Sequence, residues 1–272
     1  MSDILPTREL STKGFLLMKR FDGSFRLLTR YSSNHEIEDS SLIDGVRIRL
    51  TRKCKELGIR QFTVSEELNG QSWSHIAPSR ESSKSISALR GHTDGAFLAL
   101  PGENLHGQRL MPQLLVLYCI RNASQIPTTL YPWECVESLL SPHAVAGLQL
   151  REFRIDIQES WSMPDNFRLH NLPRALVVRN AGLTQIRFSH SRVTPLSERA
   201  SRALAELKSV LRQCELKICL EPGDLLIIHN RRSIHGRAEA PRMCEGVNVH
   251  RWLLRSYAKL SHVAPCSQEI PW

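Results

Sequence analysis

Two histidines and a carboxylate open the chemical reading of this chain. In Gly91-His92-Thr93-Asp94-Gly95 the imidazole and the carboxylate stand two residues apart. In an extended strand, positions i and i+2 face the same side, so His92 and Asp94 can address one point. A third candidate, His235, lies far downstream in Glu221-Pro-Gly-Asp-Leu-Leu-Ile-Ile-His-Asn-Arg-Arg-Ser-Ile-His-Gly-Arg237. Two imidazoles and one carboxylate leave coordination positions open, a donor set that suits iron(II) and exogenous ligands together. A closed zinc site would want four protein ligands, and no CxxC pair is present to supply them. Taken singly, HxD is a common chance pairing, and a lone histidine is more often a surface or core residue than a ligand.

A further signal is His250-Arg-Trp-Leu-Leu-Arg-Ser-Tyr257. Read as a strand, it puts Arg251, Leu253, Arg255 and Tyr257 on one face, with the two arginines about 13 Å apart. Each guanidinium can fork onto a separate carboxylate, one on either side of a reaction centre. By themselves, two arginines are as well explained as solvated surface charges.

These residues need a scaffold, and the text around them is mostly strand-like. Short apolar runs occur at Phe97–Leu100, Leu114–Ile120, Leu176–Arg179, Lys217–Leu220, Leu225–Ile228 and Trp252–Tyr257. Turn residues separate them, notably Pro101-Gly102, Asn180-Ala-Gly182 and Pro222-Gly223-Asp224. Apolar residues at steps of three and four predict helices over 36–58 and 196–214, the second behind Thr194-Pro195 as cap and first turn. Many short strands with a few peripheral helices predict a mainly β chain with flanking helices, a β-sandwich or jelly roll. No linker or internal repeat divides it. We read residues 1–272 as one domain, with a partly helical portion over 1–86 and the jelly-roll core over 87–257.

The 272 residues are 41% hydrophobic and 23% charged, a profile that excludes disorder and a disulfide-stapled miniprotein. Seven cysteines, odd in number and several inside apolar runs, suggest buried thiols in a reducing cytoplasm. The start carries Asp3, Arg8, Glu9 and Lys13, without the pattern of a signal segment. No apolar run approaches the length of a membrane span. Lysine and arginine exceed aspartate and glutamate by nine. That excess favours anionic partners, whether acidic small molecules or an acidic carrier protein. The densest cluster, Arg47 to Lys53, has no interleaved aromatics and matches no nucleic-acid-binding signature.

Taken in order, HTDG, PGDLLIIHNRRSIHGR and RWLLR resemble the clavaminate-synthase-like branch of the iron(II)/2-oxoglutarate dioxygenases, which includes asparagine and arginine hydroxylases. The resemblance spans about Ser87 to Tyr257 and includes Pro112 to Asn122. It implies a double-stranded β-helix, that is, a jelly roll. It also implies iron(II) held by His92, Asp94 and His235, with 2-oxoglutarate and O₂ as cosubstrates. Arg251 matches the arginine that takes the distal carboxylate of 2-oxoglutarate. Thr129 matches an assisting threonine, with Thr128 as the alternative. Arg255 matches the arginine that meets the substrate carboxylate. Ser74 falls where relatives place a glutamine against the substrate amine.

Other departures are an early His92, Asp94 where glutamate is common, and His229 where relatives have aspartate. The activity implied is oxidation, by default hydroxylation, of an amino acid or a related small molecule, as in antibiotic biosynthesis. Oxidation of a peptide or carrier-tethered substrate, or a jelly roll that binds without turnover, are the alternatives. In the segment from Asn180 to Val193, where arginine hydroxylases keep acids, this chain has Arg187, His190 and Arg192. That substitution predicts a neutral or acidic substrate side chain.

Overall fold

The computed structural model describes residues 5–21, 41–67, 70–77, 87–103, 109–164, 167–241 and 251–261. Its largest sheet explains why the apolar runs are continuous. The strands β1 (Phe15–Met18), β2 (Ile59–Phe62), β3 (Ser74–Ile76), β5 (Leu114–Asn122), β12 (Leu225–His229) and β14 (Arg251–Leu260) form it. They lie in the order β1-β12-β5-β14-β2, with β3 also pairing β14. Helices α1 (Leu5–Lys13) and α2 (Ser41–Glu56) precede β1 and β2.

Both faces of this sheet are buried, so alternation vanishes from its sequence. Leu114, Val116, Tyr118 and Ile120 of β5 join Leu225, Ile227 and Leu254 in an outer core, together with Ile43, Val46 and Leu50 of α2. Leu115, Leu117 and Cys119 join Leu226, Ile228, Leu253 and Tyr257 in the inner core. Arg251 and Arg255 fall on β14 in phase with Leu253 and therefore face inward.

The opposing sheet runs β11 (Leu216–Ile218), β6 (Thr128–Pro132), β13 (Ser233–Arg237) and β4 (Leu89–His92) in that order. Two further ladders, β7 (Phe153–Ile155) with β10 (Val193–Pro195) and β8 (Val177–Asn180) with β9 (Leu183–Ile186), complete the strands of the described residues. Helices α3 (Trp133–Leu139), α4 (Pro142–Leu148) and α5 (Glu198–Leu211) pack on the inner core. The arrangement is a jelly roll with peripheral helices, as expected from the sequence.

Three local expectations need correction. Phe97–Leu100 is not a strand but a buried turn segment after Gly95, its Leu98 amide donating to the Gly95 carbonyl. The cap of α5 is Ser197, whose side chain accepts from the Ala200 amide, while Thr194 and Pro195 belong to β10. The first described turn of α2 begins at Ser41, and the expected helical residues 36–40 lie outside the described residues. No helix among the described residues is long and apolar enough to cross a membrane.

Candidate metal centre and anion cavity

β4 and β13 are antiparallel neighbours, and their register sets His92 directly opposite His235. The two rings lie 4.5 Å apart, centroid to centroid. Such an approach needs a small neighbour. A Cβ on Gly236 would collide with the Leu89 carbonyl oxygen and come within 2.8 Å of Thr129 Oγ1. A register shift between His235 and Arg237, with β4 carrying the additional residue, bends the strand and re-aims its side chains.

Asp94 reaches the histidines differently from the simple i, i+2 strand geometry. β4 ends at His92, and the chain turns over the next residues. Asn230, fully buried, clamps that turn. Its Oδ1 accepts from the Asp94 amide at 2.9 Å, and its Nδ2 donates to the carbonyls of Asp94 at 2.9 Å and Pro112 at 3.0 Å. Asp94 Oδ1 then sits 3.4 Å from His92 Nε2 and 3.8 Å from His235 Nε2. One ligand atom from each of the three residues falls within 4.8 Å of the others, and no other such group occurs among the described residues.

Protonation suits a cation. Burial alone would raise the Asp94 carboxyl, but hydrogen bonds with His235 and His92 and the charge of Arg255 hold it well below the usual range. Burial, and then the neighbouring His92, lower His235, so its ring is neutral near pH 7. The Nδ1 of His92 stands 3.1 Å from the Arg90 carbonyl. A proton held there leaves Nε2 free as a donor to metal. Arg255 Nη1 lies 3.5 Å from Asp94 Oδ2, which leaves Oδ1 as the oxygen facing the histidines.

The cavity around this triad holds about 100 Å³, with Ile76, Leu115, Leu117 and Leu253 as apolar walls and Thr128, Arg251 and Arg255 as polar ones. Its two ends differ in charge. At one end Arg255 is matched against two carboxylates, Asp94 and Glu67, with Glu67 Oε1 at 2.9 Å from Arg255 Nη2. That end is short of positive charge, as a dication requires. At the other end Arg251 is 3% exposed and has no acidic partner among the described residues. Burial and then the charge of Arg237 lower its guanidinium to about 10. This end is short of negative charge, as a carboxylate ligand requires. Burying such a cation alone is costly, and an anionic ligand would remove the cost.

The structure sets the two threonines on opposite faces of β6. Arg251 Nη2 donates to Thr128 Oγ1 at 2.6 Å, and Thr128 lines the cavity. Thr129, the choice made from the sequence, pairs with Gly236 and faces a different cavity on the outer side of the sheet. Adjacent residues of a strand take opposite faces, so one step of register reverses the assignment.

Ser74 is buried opposite Arg255 on the β3–β14 ladder, in a small cleft shared with Glu67, Gln71 and Tyr257. It is not in the wall of the metal cavity. The segment expected to repel cationic substrates does not line that cavity either. Arg187 is wholly buried, bonded to Glu103 and to the Leu98 carbonyl, and Glu103 also takes a fork from Arg174 at 2.6 and 3.2 Å. His190 faces the outer cavity, and Arg192 bonds the Ile157 carbonyl and Glu159. The argument for a neutral or acidic side chain loses its basis with them.

Two functional candidates escape the sequence. Asn230 stands inside the His-Asn-Arg-Arg motif, and its type alone does not reveal that it grips Asp94. Glu67 is 4% exposed beside Arg255 and Ser160. Its Oε2 is buried without a hydrogen bond, and burial raises its carboxyl despite Arg255.

Comparison with known proteins finds similarities of sequence and of fold. Residues 163–257 match the family described as taurine catabolism dioxygenase TauD, TfdA family. An L-asparagine oxygenase of Streptomyces coelicolor is 29% identical over 176 residues, 62% of this chain and 50% of its own length. An L-lysine 3-hydroxylase of Catenulispora acidiphila is 24% identical over 208 residues, 73% of this chain and 54% of its own. The chain thus spans about half the length of these curated relatives. A crystal structure of asparagine oxygenase with Fe(II), 3-hydroxyasparagine and succinate superposes with a TM-score of 0.72 at 22% identity, covering 93% of this chain and 76% of that one. The non-haem iron oxygenase OrfP, with Fe, succinate and (3S)-hydroxy-L-Arg, gives 0.71 at 18% identity, covering 97% and 85%.

Proposed function

We propose, from the match of residues 163–257 to the TauD/TfdA family and the cavity described above, that this chain is an iron(II)- and 2-oxoglutarate-dependent oxygenase that hydroxylates a free amino acid. The observation that carries this reading is the charge layout of one cavity. A carboxylate and two imidazoles converge at one end, and a buried arginine without an acidic partner among the described residues stands at the other. His92, Asp94 and His235 would hold the metal, and Arg251 with Thr128 would hold the distal carboxylate of 2-oxoglutarate. When bound, iron and 2-oxoglutarate supply with O₂ the oxidising power to attack an unactivated C–H, the keto acid leaving as succinate and CO₂.

The protein's own part is binding, orientation and exclusion of water. Arg251, hydrogen bonded to Thr128, presents its fork to a carboxylate in a site walled by leucines, where such contacts are strong. Asn230 fixes the Asp94 backbone, which limits where the carboxylate can point. Arg255 holds Asp94 Oδ2 and Glu67 Oε1. We assign Arg255 to the α-carboxylate of the substrate and Glu67, with its unpartnered Oε2, to the α-ammonium. A zwitterion entering between them replaces one ion pair by two. A carrier-bound thioester has no free carboxylate for Arg255, which favours the free amino acid. The names of the relatives, acting on asparagine and lysine, support the same substrate class.

The test is a panel of the free amino acids with iron(II), 2-oxoglutarate and O₂, scoring amino-acid-dependent succinate and a product heavier by one oxygen. At least one amino acid should give both in equal amounts. Succinate formation that no member of the panel stimulates would contradict the reading.

A further inference from the structure

On the outer side of the β6-β13-β4 wall lies a second cavity of about 550 Å³, bounded on its far side by α5. Its lining is strongly basic. Arg90 projects from β4, and Lys208 and Arg212 project from the last turn of α5 and its C-cap, one helical turn apart. Like charges at that spacing repel on a helix. None of the three makes an ion pair among the described residues. The one acid of the lining among the described residues, Glu215, is occupied: it accepts from the Tyr131 hydroxyl at 3.0 Å and pairs with Lys217 at 3.4 Å.

The three cations act on a common volume. His190, half-buried in the same wall, is lowered by burial and then by Lys208, Arg90 and Arg212. Tyr131, Leu211 and Leu89 give the cavity an apolar side as well. We propose that this cavity is a binding site, separate from the metal centre, for a small organic polyanion, a phosphate ester or a polycarboxylate. Several anionic oxygens would satisfy Arg90, Lys208 and Arg212 together, and an organic portion would rest on Tyr131 and Leu211. The volume lies in the range of small-ligand pockets, and its concavity suits a small molecule better than the acidic face of a protein.

The cavity does not depend on the oxygenase reading, because binding can be measured without metal or turnover. Calorimetric titration of the metal-free protein with AMP and, separately, citrate should give saturable binding of one or both, and the tighter of the two identifies the source. The double variant Lys208→Gln/Arg212→Gln should weaken that binding at least about tenfold, the loss expected when two charge-assisted contacts go. Arg251→Met should leave it unchanged, which separates the outer cavity from the inner anion site. Thermal melts of the double variant should stay close to the parent's, since relief of the mutual repulsion offsets the loss of two cations at the helix C-terminus. Absence of binding to both probes, or binding that survives the double variant, would overturn the proposal, as would binding lost in Arg251→Met.

Discussion

The Thr128 hydroxyl offers a sharp perturbation, because its neighbour Thr129 is chemically identical and faces the other way. Arg251 is 3% exposed, and Nη2 donates to Thr128 Oγ1 at 2.6 Å. Thr128→Val keeps the shape and removes that acceptor. A hydrogen bond to a charged group is worth roughly 1.5–3 kcal/mol. In the proposed site the same bond would orient Arg251 both without and with 2-oxoglutarate, so only part of this energy would affect binding. A loss of about 1–2 kcal/mol corresponds to about 5–30-fold weaker binding of 2-oxoglutarate. Thr129→Val should stay within about twofold of the parent, since its side chain points into the outer cavity. The assay is anaerobic titration of the iron-loaded variants with 2-oxoglutarate, with parallel unfolding curves to confirm equal folding. Equal losses in the two variants, or a larger loss in Thr129→Val, would refute the assignment and the register behind it.

Two further outcomes test the surrounding framework. His229 is lowered from 6.5 to about 3 by burial and then by Arg231 and Arg232, so the unfolded chain binds a proton that the folded chain rejects. Its contribution to stability is complete above about pH 6.5 and is lost as pH falls toward 3, by up to ~1.4 kcal/mol per pH unit. His229→Leu should flatten urea-measured stability between pH 6.5 and 5 relative to the parent, and an unchanged slope would contradict the assignment. Glu103 compensates two guanidinium groups, those of Arg174 and Arg187, which are 3% and 0% exposed. Glu103→Gln should cost ~3–5 kcal/mol in denaturant unfolding, because it leaves buried charge unmatched. A loss below about 1 kcal/mol would mean that water or another group takes its place.

The legible part of this protein was carried by patterns that survive burial on both faces. β5, β12 and β14 read as strands because α2 covers one side and the inner core the other. Arg251 and Arg255 stood out there as charges in phase with Leu253. β4 and β13 were poorly legible for the opposite reason. Leu-Arg-Gly-His and Ser-Ile-His-Gly-Arg are short and mix polar with apolar residues, because the wall they form has a cavity on either side. Phe97–Leu100 misleads because a short apolar run has no periodicity that distinguishes a buried turn from a strand.

The site residues divide in the same manner. His92, Asp94, His235, Arg251 and Arg255 belong to motifs whose order in the chain is informative, and the structure gathers them around one cavity. Thr128 could not be told from Thr129 by type, only by the pairing of Thr128 with Arg237. Glu67 lies just before the segment that holds Ser74 but outside every quoted motif, and only the fold brings it to Arg255. Arg187 and Arg192 looked like substrate-facing charges, yet each is bound within the protein's own interior or surface network. A single sequence records such charges without recording their partners.

The central claim is that His92, Asp94 and His235 form one metal site. Anaerobic iron(II) titration with 2-oxoglutarate present tests it most directly, following the visible metal-to-ligand charge-transfer absorption. The parent and His229→Leu should develop the band and saturate at one iron per chain, and His235→Ala should show neither. A His235→Ala protein that is folded, binds iron at the same stoichiometry and retains the band would contradict the account.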